Sequence, residues 1–315
     1  MLRPLIVIRH IPNINFMGWH KLGFALSTLL TVGSIVLFLT QGLNYGIDFV
    51  GGTLIEAKTQ GPAHLAEMRS TLDGLGLGAV SLQGFGSPDE VLIRVARQPG
   101  SDQAQMDAVA KVKQALGSGV DYRRIEVVGP EVGSELIRAG ILATVLALFA
   151  IAAYVSLRFN WQFGIGAMLS TLHDTITTVG LFALLQIEFN LTTLAAILTI
   201  AGYSVNDTVV IYDRVRETSR KYKTMDFRTL INKSLNETLS RTILTVSTVA
   251  LAVLSLFFFG GEVLRGFSIA MLWGIVVGTY SSLFIAAPIL YYVQPRRSRR
   301  AKKGEETQAE TQGAS

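Results

Sequence analysis

A chain of 315 residues that is 50% hydrophobic and only 16% charged, with a mean hydropathy of +0.41, has the composition of a membrane protein and not of a soluble enzyme. It has no cysteine, which excludes a disulfide framework, a thiolate nucleophile and a cysteine metal site, and its four scattered histidines form no zinc pattern. The net charge of +5 comes largely from basic residues beside apolar segments, where they set topology, so nucleic acid is not an expected partner.

Residues 1–21, with Arg3, Arg9 and Lys21, read as a cytoplasmic amino-terminal segment. The apolar run that follows, 22–40, is long enough to span a hydrocarbon core and lacks a small-x-small cleavage pattern, so it predicts an uncleaved first transmembrane helix. Residues 41–138 change character, because the hydrophobic period of two returns. GTLIEAKT predicts a strand, AHLAEMRSTLDGLGL a helix, AVSLQGFG and EVLIRVAR two strands, DQAQMDAVAKVKQALG a helix and YRRIEVVG a last strand. That βαββαβ order predicts a ferredoxin-like domain with both helices on one face of a four-stranded sheet and the other face free to bind a partner.

Residues 139–293 contain five further apolar segments, about Ile141 to Leu157, Trp161 to Leu184, Leu191 to Tyr212, Thr242 to Gly260 and Phe267 to Val293. The fold class expected is thus a six-helix integral membrane protein with the small domain between helices 1 and 2. Residues 294–315 form a basic tail, PRRSRRAKK, followed by the polar and partly disordered EETQAETQGAS. The amino terminus, the turn at Arg158, the loop from Arg214 to Arg241 and the tail are all basic, and six crossings put them on one side. The positive-inside rule makes that side the cytoplasm, with both termini there and 41–138 outside it.

Small and hydroxyl residues at helical spacing mark packed faces in lipid. The third segment offers Gly166, Ser170, Asp174 and Thr177; the fourth Thr192, Ala195, Thr199, Gly202 and Asn206; the fifth Arg241, Thr245, Thr248, Ala252 and Ser255. These three stripes are expected to line one interior, and the sixth segment adds a GxxxG pair, Gly274 and Gly278. Asp207 borders the fourth stripe, six residues before Asp213 and so about 9 Å inside the cytoplasmic surface. A carboxylate inside a membrane marks a pathway or glues helices together. Arg241 begins the next segment at the same surface, and its guanidinium can reach inward to Asp207, so the two form a candidate proton switch; taken alone, Arg241 reads as a snorkelling topology signal. Asp174 is a candidate relay. His173 is a weaker one, since helix neighbours lie about 100° apart and do not share a face.

The insertion is flanked by NYGIDFVGGT and VGPEVGSEL. Gly46, Asp48, Gly51 and Gly52 on one side, with Gly129, Pro130 and Gly133 on the other, read either as ordinary turn chemistry or as hinges about which the domain swings.

GIDFVGGT, GPEVGSEL, RFNWQF, LHD, and GYSVNDTVVIYDRVRE followed by NETLSRT resemble, in order and spacing, the motifs of the SecF family within the SecD/SecF group, over about residues 10 to 293. The resemblance implies one six-helix half of a resistance-nodulation-division type transporter in the bacterial cytoplasmic (inner) membrane. It implies pairing with a SecD-like subunit, work on translocating polypeptide at the SecYEG channel driven by the proton motive force, and roles for Asp207 and Arg241 in proton transport. Membrane lipid is the remaining partner, with no enzyme activity and no cofactor. Asn160 departs from the family, where an acidic residue is common, and no function is assigned to that turn. Two other readings compete: a small-molecule or lipid exporter of the same superfamily, and a subunit that only stabilises the export channel.

Overall fold

The computed structural model describes residues 12–293 except 79, 86 and 101. Arg3, Arg9 and the tail 294–315 therefore lie outside the described residues. Among the described residues, six helices are long and apolar enough to cross a membrane. The first, α1 (Phe16–Gln41), begins where the Asn15 side chain accepts the Gly18 N–H and ends at Gly42, whose φ of +70° lets the chain turn away. A single turn, α2 (Ile47–Val50), leads into the inserted domain.

The domain runs β1 (Gly52–Thr59), α3 (Leu65–Asp73), β2 (Val80–Phe85), β3 (Ser87–Ala96), α4 (Asp102–Leu116) and β4 (Val120–Val128), and its sheet has the order β2-β3-β1-β4 with every pair antiparallel. This is the ferredoxin-like arrangement that the sequence predicts. Alternation puts Ile55, Ala57, Val91, Ile93 and Val95 on one face, where Leu72, Val109 and Val112 of the two helices cover them. The other face carries Leu54, Glu56, Gln83, Leu92, Arg94 and Arg124. It is not free in the sense expected, because it looks onto the membrane helices across a cleft of about 900 Å³.

The remaining helices are α5 (Pro130–Arg158), α6 (Trp161–Leu185), α7 (Leu191–Lys221), α8 (Phe227–Phe259) and α9 (Gly261–Ser281), which continues through a π-helical segment, Ser282–Ala286, into α10 (Ala287–Val293). Between 44 and 61% of the most apolar stretch of α6, α7 and the last crossing is buried, against 11–17% in α1, α5 and α8. The first three form the centre, and α1, α5 and α8 expose Leu29, Leu157 and Leu251 as a lipid-facing surface would. The GxxxG pair serves close packing: a Cβ on Gly274 would run into Ile200, and one on Gly278 would lie 3.1 Å from Ser204 Cβ.

Several helices outrun the apolar segments that announce them. α5 starts at Pro130 instead of Ile141, and most of the loop expected from Arg214 to Arg241 is helix, with only 222–226 between α7 and α8. Hydropathy marks the lipid-immersed stretch, whereas helix continues wherever the backbone is bonded and the ends are capped, as Asp226 caps α8 through the Arg228 and Thr229 N–H groups.

Candidate functional site

The three polar stripes do not line one interior. On α6, Ser170, Asp174 and Thr177 are buried, but on α7 Ala195, Thr199, Gly202 and Asn206 are exposed, as are Arg241, Thr248, Ala252 and Ser255 on α8. Gly202 has open space where a Cβ would be. The α6 stripe is closed by the opposite face of α7, so the sequence located the polar helices correctly and assigned two of the stripes to the wrong side of the wall.

Asp174 is fully buried and well bonded. Its Oδ2 accepts hydrogen bonds from the Ser204 hydroxyl at 2.6 Å and the Ser281 hydroxyl at 2.8 Å, and Oδ1 lies 3.1 Å from His173 Nδ1. The expectation that His173 and Asp174 do not share a face is therefore corrected: in a helix buried on most sides both side chains turn inward, and the imidazole is long enough to close a 100° separation. His173 Nε2 is buried without a hydrogen-bond partner, and its ring leans on Tyr280 with centroids 6.2 Å apart. Beside this cluster Thr208 meets Ser282 at 2.8 Å, at the first residue of the π segment.

Asp207 lies on α7 one turn from Ser204 toward the basic end. It is 4% exposed, and among the described residues no side chain hydrogen-bonds or ion-pairs with it directly. Arg241, across the seam on α8, acts on it as a charge without touching it, and its own side chain is exposed. The expected close pair is thus present as neighbours held apart. Tyr203, one turn earlier on α7, also has a buried hydroxyl without a partner. Carboxylate, phenol and guanidinium therefore sit along the α7–α8 seam beside the exposed stripe.

The residues flanking the domain pack closely against one another and against the start of α7. Gly51 and Gly52 have φ of +76° and +135°, and a Cβ on Gly52 would lie 2.7 Å from the Val95 carbonyl oxygen. Gly129 is extended and Pro130 opens α5 at its first position, where a missing N–H costs nothing. Gly133 lets α5 pass the Phe49 carbonyl, 2.5 Å from where a Cβ would be. Gly46 abuts Glu188, and Asp48 accepts the Leu191 N–H at 2.9 Å in the first turn of α7.

Sequence reading missed that these residues meet the turn between α6 and α7. Tyr45 and Phe189 form a parallel bridge, Phe49 stacks on Phe189, and Glu188 ion-pairs with Arg94 of β3 at 2.5 Å. Burial pushes the Glu188 carboxyl above the usual carboxylate range, with the Arg94 charge pulling it down and the Asp48 charge adding to the rise. Ser204 and Ser281 were also missed as partners of Asp174, although paired serines in an apolar run, Ser281 and Ser282, are a readable signal.

Six membrane-crossing helices, a ferredoxin-like domain inserted after the first, and carboxylates buried within the bundle define a multi-pass membrane protein of the transporter type. The family model for the carboxyl-terminal region of the protein export membrane proteins SecD and SecF matches residues 108–296, and that of the SecD/SecF GG motif matches 36–63. The chain belongs to this SecD/SecF family. It is 45% identical over 291 residues to the protein translocase subunit SecF of Rickettsia rickettsii, covering 91% of this chain and 94% of that protein. It is 44% identical to that of Cereibacter sphaeroides, over 89% and 90%. Among solved structures it resembles SecDF, a translocon-associated membrane protein from Thermus thermophilus, with a TM-score of 0.80 and 33% identity. That match covers 93% of this chain and 40% of the SecDF chain, so this chain corresponds to a part of that longer protein.

Proposed function

We propose that this chain is the SecF-type subunit of a bacterial protein translocase in the cytoplasmic membrane, paired with a SecD-type subunit at the SecYEG channel, and that it couples the proton motive force to late movement of polypeptide. The work is done by displacement of the inserted domain and not by bond-making chemistry. Asp207 carries the proton, Arg241 sets the charge it meets, and Asp174 with His173 forms a relay deeper in the bundle. The domain swings about Gly46, Asp48, Gly51 and Gly52 on one side and Gly129, Pro130 and Gly133 on the other.

The observation that carries this reading is Asp207 itself. A carboxylate left without a direct partner inside a bilayer is costly, by about 2.5–3.5 kcal/mol on insertion scales, and such residues mark pathways. One charge moving through 100 mV supplies about 2.3 kcal/mol, so a few protons are enough to bias a hinge. The orientation rests on basic residues at the end opposite the domain, including Arg158, Arg216, Arg220, Lys221 and Lys233. Translocation into inverted membrane vesicles, with and without an imposed proton gradient, tests the reading. Asp207→Asn keeps the shape and loses the titratable group, so gradient-dependent stimulation should vanish while assembly persists. Full stimulation in that variant would make the carboxylate structural.

A further inference from the structure

Arg94 of the inserted domain meets Glu188, in the turn that leads into the carboxylate-bearing helix. We propose that Arg94 and Glu188, braced by Asp48, are positioning residues that transmit movement of α7 to the inserted domain. The inference rests on the proton-coupled reading of Asp207.

Glu188 lies in the turn just before Asn190, whose side chain caps α7 by accepting the Thr193 N–H. From that cap to Asp207 is one uninterrupted helix, about 25 Å at 1.5 Å per residue, so a shift at the carboxylate reaches the turn with little loss. The turn is held to the entrance of the domain by the backbone: the Phe189 N–H donates to the Asn44 carbonyl at 2.7 Å and the Gly46 N–H to the Phe189 carbonyl at 2.8 Å. The Asn44 side chain donates to the Gln186 carbonyl at 3.0 Å. Asp48 then accepts the Leu191 N–H, which fixes α2 to the start of α7. Arg94 stands at the other end of the contact on β3, an inner strand bonded on both sides, so it moves only with the whole sheet.

The ion pair joins two rigid bodies, and each of its side chains is about three-quarters buried, at 23% and 22% exposure. A pair that has lost most of its water contributes orientation more than net stability, because desolvation offsets much of the attraction. That suits a joint that sets where the domain sits and still yields.

The natural absence of cysteine makes the test clean. Arg94→Cys with Glu188→Cys, in the full chain with its SecD-type partner in inverted vesicles, should be bridged by a short bis-methanethiosulfonate reagent, whose spacer takes up the reach of the two long side chains that a direct disulfide would not span. Gradient-dependent stimulation should then fall at least fivefold and return on reduction. Arg94→Glu and Glu188→Arg should each lower it several-fold and the two together should restore at least half, while the amount of assembled complex recovered stays the same in all three, which a merely structural pair would not give. Undiminished gradient dependence with the bridge closed, or a double swap no better than the singles, overturns the proposal. Asp207→Asn run alongside separates the two ideas: if it loses stimulation while the locked joint keeps it, the joint is wrong and the proton reading stands. If Asp207→Asn keeps full stimulation, the proton reading fails and the joint falls with it.

Discussion

Two residues at the joint show how far single side chains decide the geometry. Gly133 exists because α5 passes directly under the Phe49 carbonyl, and backbone cannot step aside as a flexible side chain can. Gly133→Ala should therefore lower stability by about 1–3 kcal/mol, the usual cost of overpacking. A reduced melting temperature in detergent checks this, with Gly61→Ala as the control because nothing lies within 4 Å of its Cβ position. Glu188 makes a prediction about pH. Its carboxyl is raised where the domain is docked, by burial first, with Arg94 opposing, Asp48 adding and Arg265 also lining the cleft. The docked state then holds the Glu188 proton more tightly than the undocked one. Docking is strongest below the undocked value and weakens as pH rises through the docked value. Spin labels at Lys111 and Leu184 should show a broader distance distribution at the alkaline end, and Glu188→Gln should remove the dependence. A distribution that is unchanged across pH would contradict the linkage.

At the scale of elements, the π segment is the clearest example of local chemistry fixing a site. Pro288 has no N–H to offer the Phe284 carbonyl, and its ring crowds that carbonyl, so the helix widens just before it and the Ala287 N–H bonds to the Ser282 carbonyl. Ser281 and Ser282, at the edge of the wider turn, meet Asp174 and Thr208. Ser204→Ala and Ser281→Ala should each cost about 0.6 kcal/mol and no more than about 1.7, the average and the maximum measured for hydrogen bonds between membrane helices. Their effects should be non-additive because both hydroxyls bond the same oxygen, and a double-mutant cycle on thermal unfolding measures the coupling. The element types and the βαββαβ order were legible because periods of two and of 3.6 are properties of local sequence. Which face of α7 is inside was not: Thr199 and Gly202 point out and Ser204 points in, although all are small, and only the packing partner distinguishes them. Arg94 and Glu188 were equally hidden, being 94 residues apart with no local pattern that pairs them.

For the whole molecule, the outward stripe on α7 is the feature that a single chain leaves unexplained. Ala195, Thr199, Gly202 and Asn206 form a surface of small and polar residues beside Asp207, whereas the exposed sides of α1 and α5 are dominated by large apolar residues such as Leu29, Ile35, Val36, Leu142, Leu146 and Phe149. Lipid offers such a surface no advantage, while a second helix packs closely against small residues and satisfies the Thr and Asn side chains. The SecDF chain that this one resembles is more than twice the length that is matched, so it contains further chain that this one lacks, and on the proposed pairing a SecD-type subunit would cover the stripe. Cysteine at Thr199 or Gly202 should crosslink to the corresponding helix of a co-expressed SecD-type subunit. Cysteine at Ala196, which is fully buried within this chain, should not. The same association covers the small and polar stripe, so blocking it should make the lone chain less stable in membranes, whereas Asp207, already 4% exposed within this chain, should contribute little and Asp207→Asn should leave that instability unchanged. Equal crosslinking from Ala196 and Gly202, or a lone chain as stable as the pair, would assign the stripe to lipid and remove the reason to pair this face with a second subunit.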